Sequence, residues 1–169
     1  MFEIKVKEDT VALEKRMTAL KWLAEHQVDV GLPDGAPERS RMILAIQEHG
    51  SPVMRIPPRP VIKPALAKGE TREAMAEAMQ GALAAAQEGD LDGAMAGMEA
   101  CGKAGADGIR AYIDAGIQPG NSPVTVHGGW IYNRVAKKGV FVEGKGFDKP
   151  LYDTGELYES FGYEIKDRD

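Results

Sequence analysis

The chain has 169 residues, of which 43% are hydrophobic and 28% charged, and its net charge is -5 at pH 7. A folded chain of this size buries about 70% of its unfolded surface, so we expect one domain with one hydrophobic core over residues 1–169. The acidic balance argues against a protein whose main task is to grip nucleic acid, and no apolar run approaches the ~20 residues that cross a bilayer.

The chain begins with a predicted strand and a predicted helix. Apolar and charged side chains alternate over residues 2–6, which is typical of a half-buried strand and leaves no apolar core for a signal peptide. A helix capped by Asp9 or Thr10 is expected next, because one apolar stripe recurs at helical spacing. The stripe consists of Leu13, Met17, Leu20 and Leu23.

A second strand, a second helix and an extended arm follow. Residues 28–32 predict the strand, and residues 38–49 predict the helix, with Gly50 as its left-handed C-terminal cap. Residues 51–64 contain five prolines, which removes the backbone donors that a helix or a central strand needs. We interpret this segment as a stiff strap, with a polyproline ligand as the alternative.

The middle of the chain, at about residues 67–116, predicts a helical hairpin rich in Gly, Ala and Met, with a break at Gly89 and Asp90. Its second helix carries a seven-residue repeat, which predicts a partner helix. The repeat consists of Leu91, Met95, Met98, Gly102, Gly105, Ile109 and Tyr112. Small residues also recur every fourth position, at Gly93, Gly97, Cys101 and Gly105. The partner is either the preceding helix, over residues 71–88, or another subunit.

The last third changes to β-favouring residues. Residues 123–146 predict a hairpin or a long loop, residues 154–161 a short helix, and residues 162–166 a final strand. We therefore expect an α+β fold, with a small, mostly antiparallel sheet packed against helices. Residues 1–66 and 117–169 would form the core, and the helical hairpin would be an insertion in it.

Two short motifs suggest enzymes, and each has a structural alternative. Residues 139–145 match the letters of a phosphate loop, but Gly146 replaces the Ser or Thr that holds magnesium. The triplet Asp153-Thr154-Gly155 is the one that aspartic proteases use, although a single copy would require a homodimer. With Glu156, the same triplet also fits a capping box before a helix.

The remaining nucleophiles and metal ligands do not form a pattern. His26, His49 and His127 lie far apart and have no paired spacing with Cys101, the single cysteine. A lone thiol fits a reducing cytosol, and its Ala- and Gly-rich surroundings predict a buried, inert side chain. We therefore predict no catalytic residue, no cofactor and no metal.

Three segments taken together resemble the neck and tail-completion proteins of long-tailed bacteriophages and prophages. Residues 45–50 (AIQEHG) are similar to a helix end in that family, where an aromatic residue usually precedes the glycine. Residues 56–66 (IPPRPVIKPAL) resemble its Ile-Pro-Ala-Arg-Pro-Phe stretch, with Val61 in place of Phe. Residues 148–161 (DKPLYDTGELYESF) are similar to its Lys-Pro-Leu-x-Asp-Thr-Gly ending, and this match is the most specific.

The resemblance implies a non-enzymatic virion protein that assembles in the bacterial cytoplasm and forms a hexameric or dodecameric ring at the head-to-tail junction. Its partners would be the connector or head-closure protein and the tail terminator or tail-tube protein. DNA would pass through the ring without sequence-specific binding. The net charge of -5 adds the hypothesis of an acidic lumen, which would repel phosphates and let the DNA slide.

The matched positions are expected to be determinants of fold or interface. They are Glu48, Gly50, Ile56, Pro57, Arg59, Pro60, Pro150, Leu151, Asp153, Thr154, Gly155, Leu157 and Ser160. The alternatives are another tail protein such as a tail terminator, a dimeric aspartic protease that uses Asp153, and a small adaptor that binds partners through the proline arm.

Overall fold

The computed structural model describes residues 2–53, 55–133, 136–151 and 155–168, with side chains from residue 10 onward. These residues form seven helices and two antiparallel two-stranded sheets, which confirms the α+β class, although one sheet was expected. The helices are α1 (Phe2–Glu25), α2 (Glu38–His49), α3 (Ile62–Ala67), α4 (Gly69–Glu88), α5 (Leu91–Asp114), α6 (Pro123–His127) and α7 (Glu156–Ser160). The strands are β1 (His26–Gly31), β2 (Gly129–Asn133), β3 (Lys138–Val142) and β4 (Gly162–Asp167).

The chain divides into two compact units. Unit 1 comprises Met1–Ala36, Ile62–Ile109 and Phe161–Asp169. Unit 2 comprises Pro37–Val61 and Arg110–Ser160. The single domain over residues 1–169 and the insertion at about residues 67–116 stay predictions.

Small residues let three helices of unit 1 pack closely. A Cβ atom placed on Gly97 of α5 would lie 2.6 Å from the Cβ atom of Ala82 in α4, so the two backbones approach too closely for a larger residue. The side chains of Ala19 in α1, Ala86 in α4 and Ala94 in α5 are fully buried in one cluster. These contacts join α5 to the preceding helix, which confirms the predicted intramolecular hairpin.

The sheet of unit 1 packs on the same helix α5. β1 and β4 pair antiparallel, with Val30 opposite Tyr163. Gly102 lies directly against the Tyr163 ring, and a Cβ atom on Gly105 would lie 3.0 Å from the Val30 methyl groups. Two glycines of the seven-residue repeat therefore accommodate this sheet, not the partner helix that the repeat predicted.

The first predicted strand is wrong, because α1 already begins at Phe2. Residues 2–6 are helical, and Asp9 and Thr10 lie inside the helix, where they cannot cap its start. The charged residues of this segment are good helix formers, and a strand needs a partner. Among the described residues, β1 pairs only with β4.

The apolar stripe of α1 is only half buried. Leu20 and Leu23 pack against the alanine cluster of unit 1. One and two turns earlier, Met17 and Leu13 are 60% and 59% exposed. The helical spacing was therefore read correctly, but the stripe continues beyond the core of its own unit.

Unit 2 begins with α2, whose bounds match the predicted helix at residues 38–49. Gly50 follows it with φ 72° and ψ 176°, so the predicted left-handed cap is wrong. Glycine is still needed there, because a Cβ atom would lie 2.8 Å from the carbonyl oxygen of Ile56. Ser51 and Ile56 form an antiparallel bridge, so the chain folds back tightly after α2.

The proline arm is shorter than expected. It has no regular structure over residues 57–61, and α3 then begins at Ile62. The extended arm was predicted over residues 51–64. At its start, Ser51 and Ile56 instead form a bridged turn, and at its end residues 62–64 belong to α3.

The predicted hairpin exists as β2 and β3, whereas its first residues form α6. Ser122 precedes α6 and its Oγ accepts a hydrogen bond from the Thr125 amide at 3.3 Å, while Pro123 occupies the first helical turn. Both are helix-start signals that outweigh the β preference of Val124 and Val126. The final helix and strand, α7 and β4, lie where residues 154–161 and 162–166 predicted them.

Candidate functional site

Arg59 connects three segments of unit 2. Its side chain is 5% exposed, and its Nε and Nη2 atoms donate to the carbonyl oxygens of Pro119 at 2.6 Å and Gly120 at 2.7 Å. Its Nη1 atom donates to Gln47 Oε1 at 3.1 Å. Burial lowers the pKa of the guanidinium below its usual value, against the opposing effect of the Asp148 carboxylate. Arg59 thus holds the arm to the end of α2 and to the loop before α6.

The end of α2 also binds the backbone of the arm. The carbonyl oxygen of Gln47 accepts a hydrogen bond from the Arg59 amide at 2.6 Å. Glu48 Oε1 accepts one from the amide of Val61, a fully buried residue, at 2.8 Å. Gln47 and Glu48 of α2 therefore accept hydrogen bonds from two backbone amides of the arm, which is not paired with any β-strand of the described residues.

The other matched positions also lie in unit 2. Four are buried, namely Pro150, Leu151, Gly155 and Leu157. Ile56 and Ser160 are half-buried, and Pro57 and Pro60 are exposed. Ser160 Oγ lies 3.3 Å from Ser40 Oγ, where α7 packs on α2. Asp153 and Thr154 fall outside the described residues, so the capping box and the protease triplet stay predictions.

A cavity of about 870 Å³ opens in unit 2, among α2, the arm, the loop before α6, the β2–β3 hairpin and the residues around α7. Matched positions from two of the three segments line it, including Ile56, Arg59 and Leu157. The structure thus brings together positions about 100 residues apart in the chain. Glu48 and Ser160 are not part of the lining, and each forms a hydrogen bond with a neighbouring element.

Asn121 lines the cavity and carries a buried polar atom. Among the residues that the structure describes, its side-chain Nδ2 atom has no hydrogen-bond partner. Its backbone amide donates to Asp148 Oδ1 at 2.7 Å, which fixes the residue in the loop. A buried unsatisfied donor costs about 1–3 kcal/mol, so a ligand oxygen placed here would recover part of that cost.

The β2–β3 hairpin has two different faces. Trp130 pairs with Phe141 and Tyr132 with Gly139, so three aromatic side chains share one face. Trp130 is 74% exposed, Tyr132 66% and Phe141 60%. Trp130 and Phe141 meet edge to face, with ring centroids 5.8 Å apart. The opposite face carries Ile131 and Val142, which line the cavity.

Sequence reasoning missed several residues of this site. Arg39 and Asn121 line the cavity but were not singled out. A signal for the aromatic face was present, because Trp130 and Tyr132 are two residues apart in a β-favouring segment. For Asn121 there was no local signal.

The phosphate-loop letters at residues 139–145 do not form a phosphate loop. Their first residues belong to β3, and the backbone amide of Lys145 donates to the carbonyl oxygen of Thr125 at 2.9 Å. The Lys145 ammonium donates to the Lys149 carbonyl oxygen, and no helix begins over the described residues 146–151, where the motif requires one.

Cys101 is buried on α5, and burial raises the pKa of its thiol, so the thiolate is disfavoured. Within the described residues, no group of three His, Cys, Asp or Glu side chains is placed to hold a metal ion. In the same part of the chain, no helix combines the length and the apolarity that a membrane crossing needs. No family model, no curated protein and no solved structure matches the chain.

Proposed function

We propose that this chain is a non-enzymatic structural protein of the head-to-tail junction of a tailed phage, as its resemblance to neck and tail-completion proteins implies. Copies of the chain would assemble in the bacterial cytoplasm into a hexameric or dodecameric ring around the DNA channel. The ring would join the connector or head-closure protein to the tail terminator or tail-tube protein.

The aromatic face of the β2–β3 hairpin is the observation that carries this proposal. Trp130, Tyr132 and Phe141 lie together on one side of a two-stranded sheet and are mostly exposed. Aromatic side chains are enriched at protein interfaces, where they bury large areas at a low entropic cost. A face of this kind is expected of a protein whose task is to bind other subunits.

The positions of the resembling residues add support. Matched positions such as Glu48, Arg59, Leu151 and Leu157 all belong to unit 2, where Glu48 and Arg59 bind the arm and Leu151 and Leu157 are buried. The resemblance therefore covers residues that build one folded unit.

The charge of the chain fits a channel through which DNA slides. With a net charge of -5, a ring of many copies would be strongly acidic. Acidic walls bind no phosphates, whereas Lys and Arg clusters would hold the DNA by releasing its counterions. A lumen lined mainly by Lys and Arg in an assembled ring would contradict this part of the proposal.

The test is electron microscopy of particles from the parent phage or prophage after deletion of the gene. We expect DNA-filled heads separate from tails, or tails of uncontrolled length. Intact, infectious virions from the deletion would contradict the proposal.

Complementation of the deletion tests the aromatic face itself. A variant with Trp130→Ser, Tyr132→Ser and Phe141→Ser should fold but leave heads and tails unjoined. Val53→Ser is the matched control, because Val53 is also in unit 2, is 86% exposed and lies outside the hairpin. The control should restore joined particles, and equal rescue by both variants would remove the hairpin from the proposed interface.

A further inference from the structure

The cavity of unit 2 has a surplus of positive charge in an acidic chain. Among the described residues, its lining includes four cationic residues, Arg39, Arg55, Arg59 and Lys145, against two carboxylates, Glu143 and Glu156. The Asp148 carboxylate lies next to the lining, where its Oδ1 atom accepts a hydrogen bond from the Asn121 amide. The whole chain has the opposite balance, with 26 Asp and Glu residues against 21 Lys and Arg residues. A concave surface lined by one sign of charge attracts a ligand of the other sign.

A buried polar group of the lining adds a directional contact. Arg59 and Asn121 both line the cavity, and within the described part of the chain the buried Asn121 Nδ2 atom has no hydrogen-bond partner. Nδ2 is a donor only, so the group that satisfies it must be an acceptor such as a carboxylate or carbonyl oxygen. Charge and hydrogen bonding therefore specify the same kind of ligand atom.

The apolar residues of the lining indicate what kind of ligand carries the acceptor oxygen. Ile43, Ile56, Val124, Ile131, Val142 and Leu157 supply apolar side chains from five different segments. The volume of about 870 Å³ is near the upper end of the range for small-ligand pockets, roughly 300–1,000 Å³. Because the cations come from three segments, namely α2, the segment of Arg55 and Arg59, and the residues after β3, the lining suits an extended ligand with apolar and acidic groups along its length.

We infer that this cavity binds an extended apolar peptide segment that carries carboxylate side chains. A carboxylate of the peptide accepts a hydrogen bond from Asn121 Nδ2 and lies among the guanidinium groups of Arg39, Arg55 and Arg59. Apolar side chains of the peptide pack on Ile131 and Val142, behind the aromatic face of the hairpin. This inference goes beyond the neck proposal and does not depend on it, since the purified chain can be tested alone.

The test is an NMR titration of the full chain labelled with ¹⁵N. The probe is the capped peptide acetyl-Leu-Glu-Val-Glu-Leu-amide, with the Gln-for-Glu peptide, acetate and inorganic phosphate as separate arms. The side-chain amide signals of Asn121, assigned by their loss in Asn121→Leu, report directly on the proposed contact. We expect them to shift and saturate with the acidic peptide at millimolar or lower concentration, and to move little with the other three probes.

Two arginines of α2 provide a matched pair of variants. Arg39 lines the cavity, whereas Arg41 is also exposed on α2 but is not part of the lining. Combined with Arg55→Ala, the Arg39→Ala change should weaken peptide binding about tenfold or more, since hydrogen bonds to charged groups are strong. Arg41→Ala should leave the dissociation constant within about twofold, because an exposed charge outside the lining contributes little.

Four results would overturn the inference. Unshifted Asn121 signals at millimolar acidic peptide would remove the site. An equal affinity for the Gln peptide would remove the carboxylate requirement. Acetate or phosphate that binds as tightly as the peptide would make this a site for a bare anion. An Arg41→Ala effect equal to that of the Arg39→Ala and Arg55→Ala variant would reduce the binding to general charge attraction. None of these results bears on the deletion phenotype, so the two proposals fail independently.

Discussion

Different kinds of contact stabilise the interior of each of the two units. In unit 1, small residues let helices and a sheet approach closely, as at Gly97 against Ala82 and Gly102 against Tyr163. In unit 2, short elements and loops are joined by polar contacts, with Arg59 bonded to Gln47 and to two carbonyl oxygens of a distant loop. Closely packed helices are destabilised when a substitution adds side-chain volume. Segments joined by buried hydrogen bonds are destabilised when a substitution removes a donor or an acceptor. The same kind of substitution should therefore have different effects in the two units.

The largest effect is expected from Arg59→Met in unit 2. The apolar stem is kept, but the carbonyl oxygens of Pro119 and Gly120 lose their donor, which should lower the free energy of unfolding by about 3 kcal/mol or more. Urea denaturation measures the loss, and hydrogen exchange should show it first in the amides of unit 2. Arg59→Lys should recover little, because one ammonium cannot replace a planar fork of donors.

Arg55→Met is the control for that prediction. Arg55 lies four residues earlier in the same segment and is exposed, so its replacement should change the stability by less than about 0.5 kcal/mol. Equal losses for both arginines would show that the buried contacts of Arg59 do not hold unit 2 together.

The next largest effect is expected from one added methyl group in unit 1. Gly97→Ala would place Cβ 2.6 Å from the Ala82 Cβ atom and 2.7 Å from the backbone of the same residue, so α4 and α5 must separate. We expect a loss of about 2 kcal/mol in thermal or urea unfolding. The same change at Gly81, where a Cβ atom meets nothing within 4 Å, should stabilise the helix by about 1 kcal/mol. Two losses, or two gains, would contradict the role of close helix packing in unit 1.

Glu48 gives a smaller effect that separates charge from hydrogen bonding. Glu48→Ala leaves the buried Val61 amide without its acceptor and should cost about 1.5 kcal/mol in urea unfolding. Glu48→Gln keeps an acceptor oxygen and should recover at least half of that loss. If Gln is no better than Ala, the negative charge matters more than the bond to the arm.

The smallest effect is a pH dependence in unit 2. The Tyr158 hydroxyl donates to Asp114 Oδ2 at 2.8 Å and, together with the nearby Lys149 ammonium, holds the pKa of the Asp114 carboxyl below its usual value. A lowered folded-state pKa stabilises the protein above the unfolded-state pKa, and the contribution is lost as the pH falls through the folded-state value. The stability difference between the native chain and Tyr158→Phe should therefore shrink as the pH falls below about 4.

Asp114→Asn is the control for the pH dependence. This variant has no carboxylate to titrate at position 114, so adding Tyr158→Phe to it should produce a difference that does not vary with acidification. Urea midpoints measured across the acidic range check both pairs. A pH-independent difference in the native background would rule out the role of the Asp114 carboxylate.

The parts of the fold that the sequence predicted well depend on neighbours in the chain. The bounds of α2 at residues 38–49 follow from local signals, since turn residues precede the helix and Gly50 follows it. The break between α4 and α5 was equally clear, because Gly89 adopts the left-handed conformation that ends a helix. The N-terminal strand failed because a short alternation of charged and apolar residues also fits a helix of good helix formers.

The candidate site was predicted only in part, through the resemblance. Arg59 was singled out by its motif, but its partners are backbone carbonyl oxygens of Pro119 and Gly120, some 60 residues away. A carbonyl oxygen has no side-chain identity, so no sequence pattern indicates it as a partner. Asn121 and Arg39 were missed for the same reason, because only the folded chain places them around one cavity.

The sequence alone determined the α+β class, the helical hairpin of α4 and α5, and the surplus of acidic residues. These properties follow from residue type and from spacings of a few positions, which act locally along the backbone. Only the tertiary structure decided that glycines of α5 meet a sheet as well as a helix, and that a cation-lined cavity forms in an acidic chain. Those properties depend on contacts between residues far apart in sequence, whose energies exist only once the chain has folded.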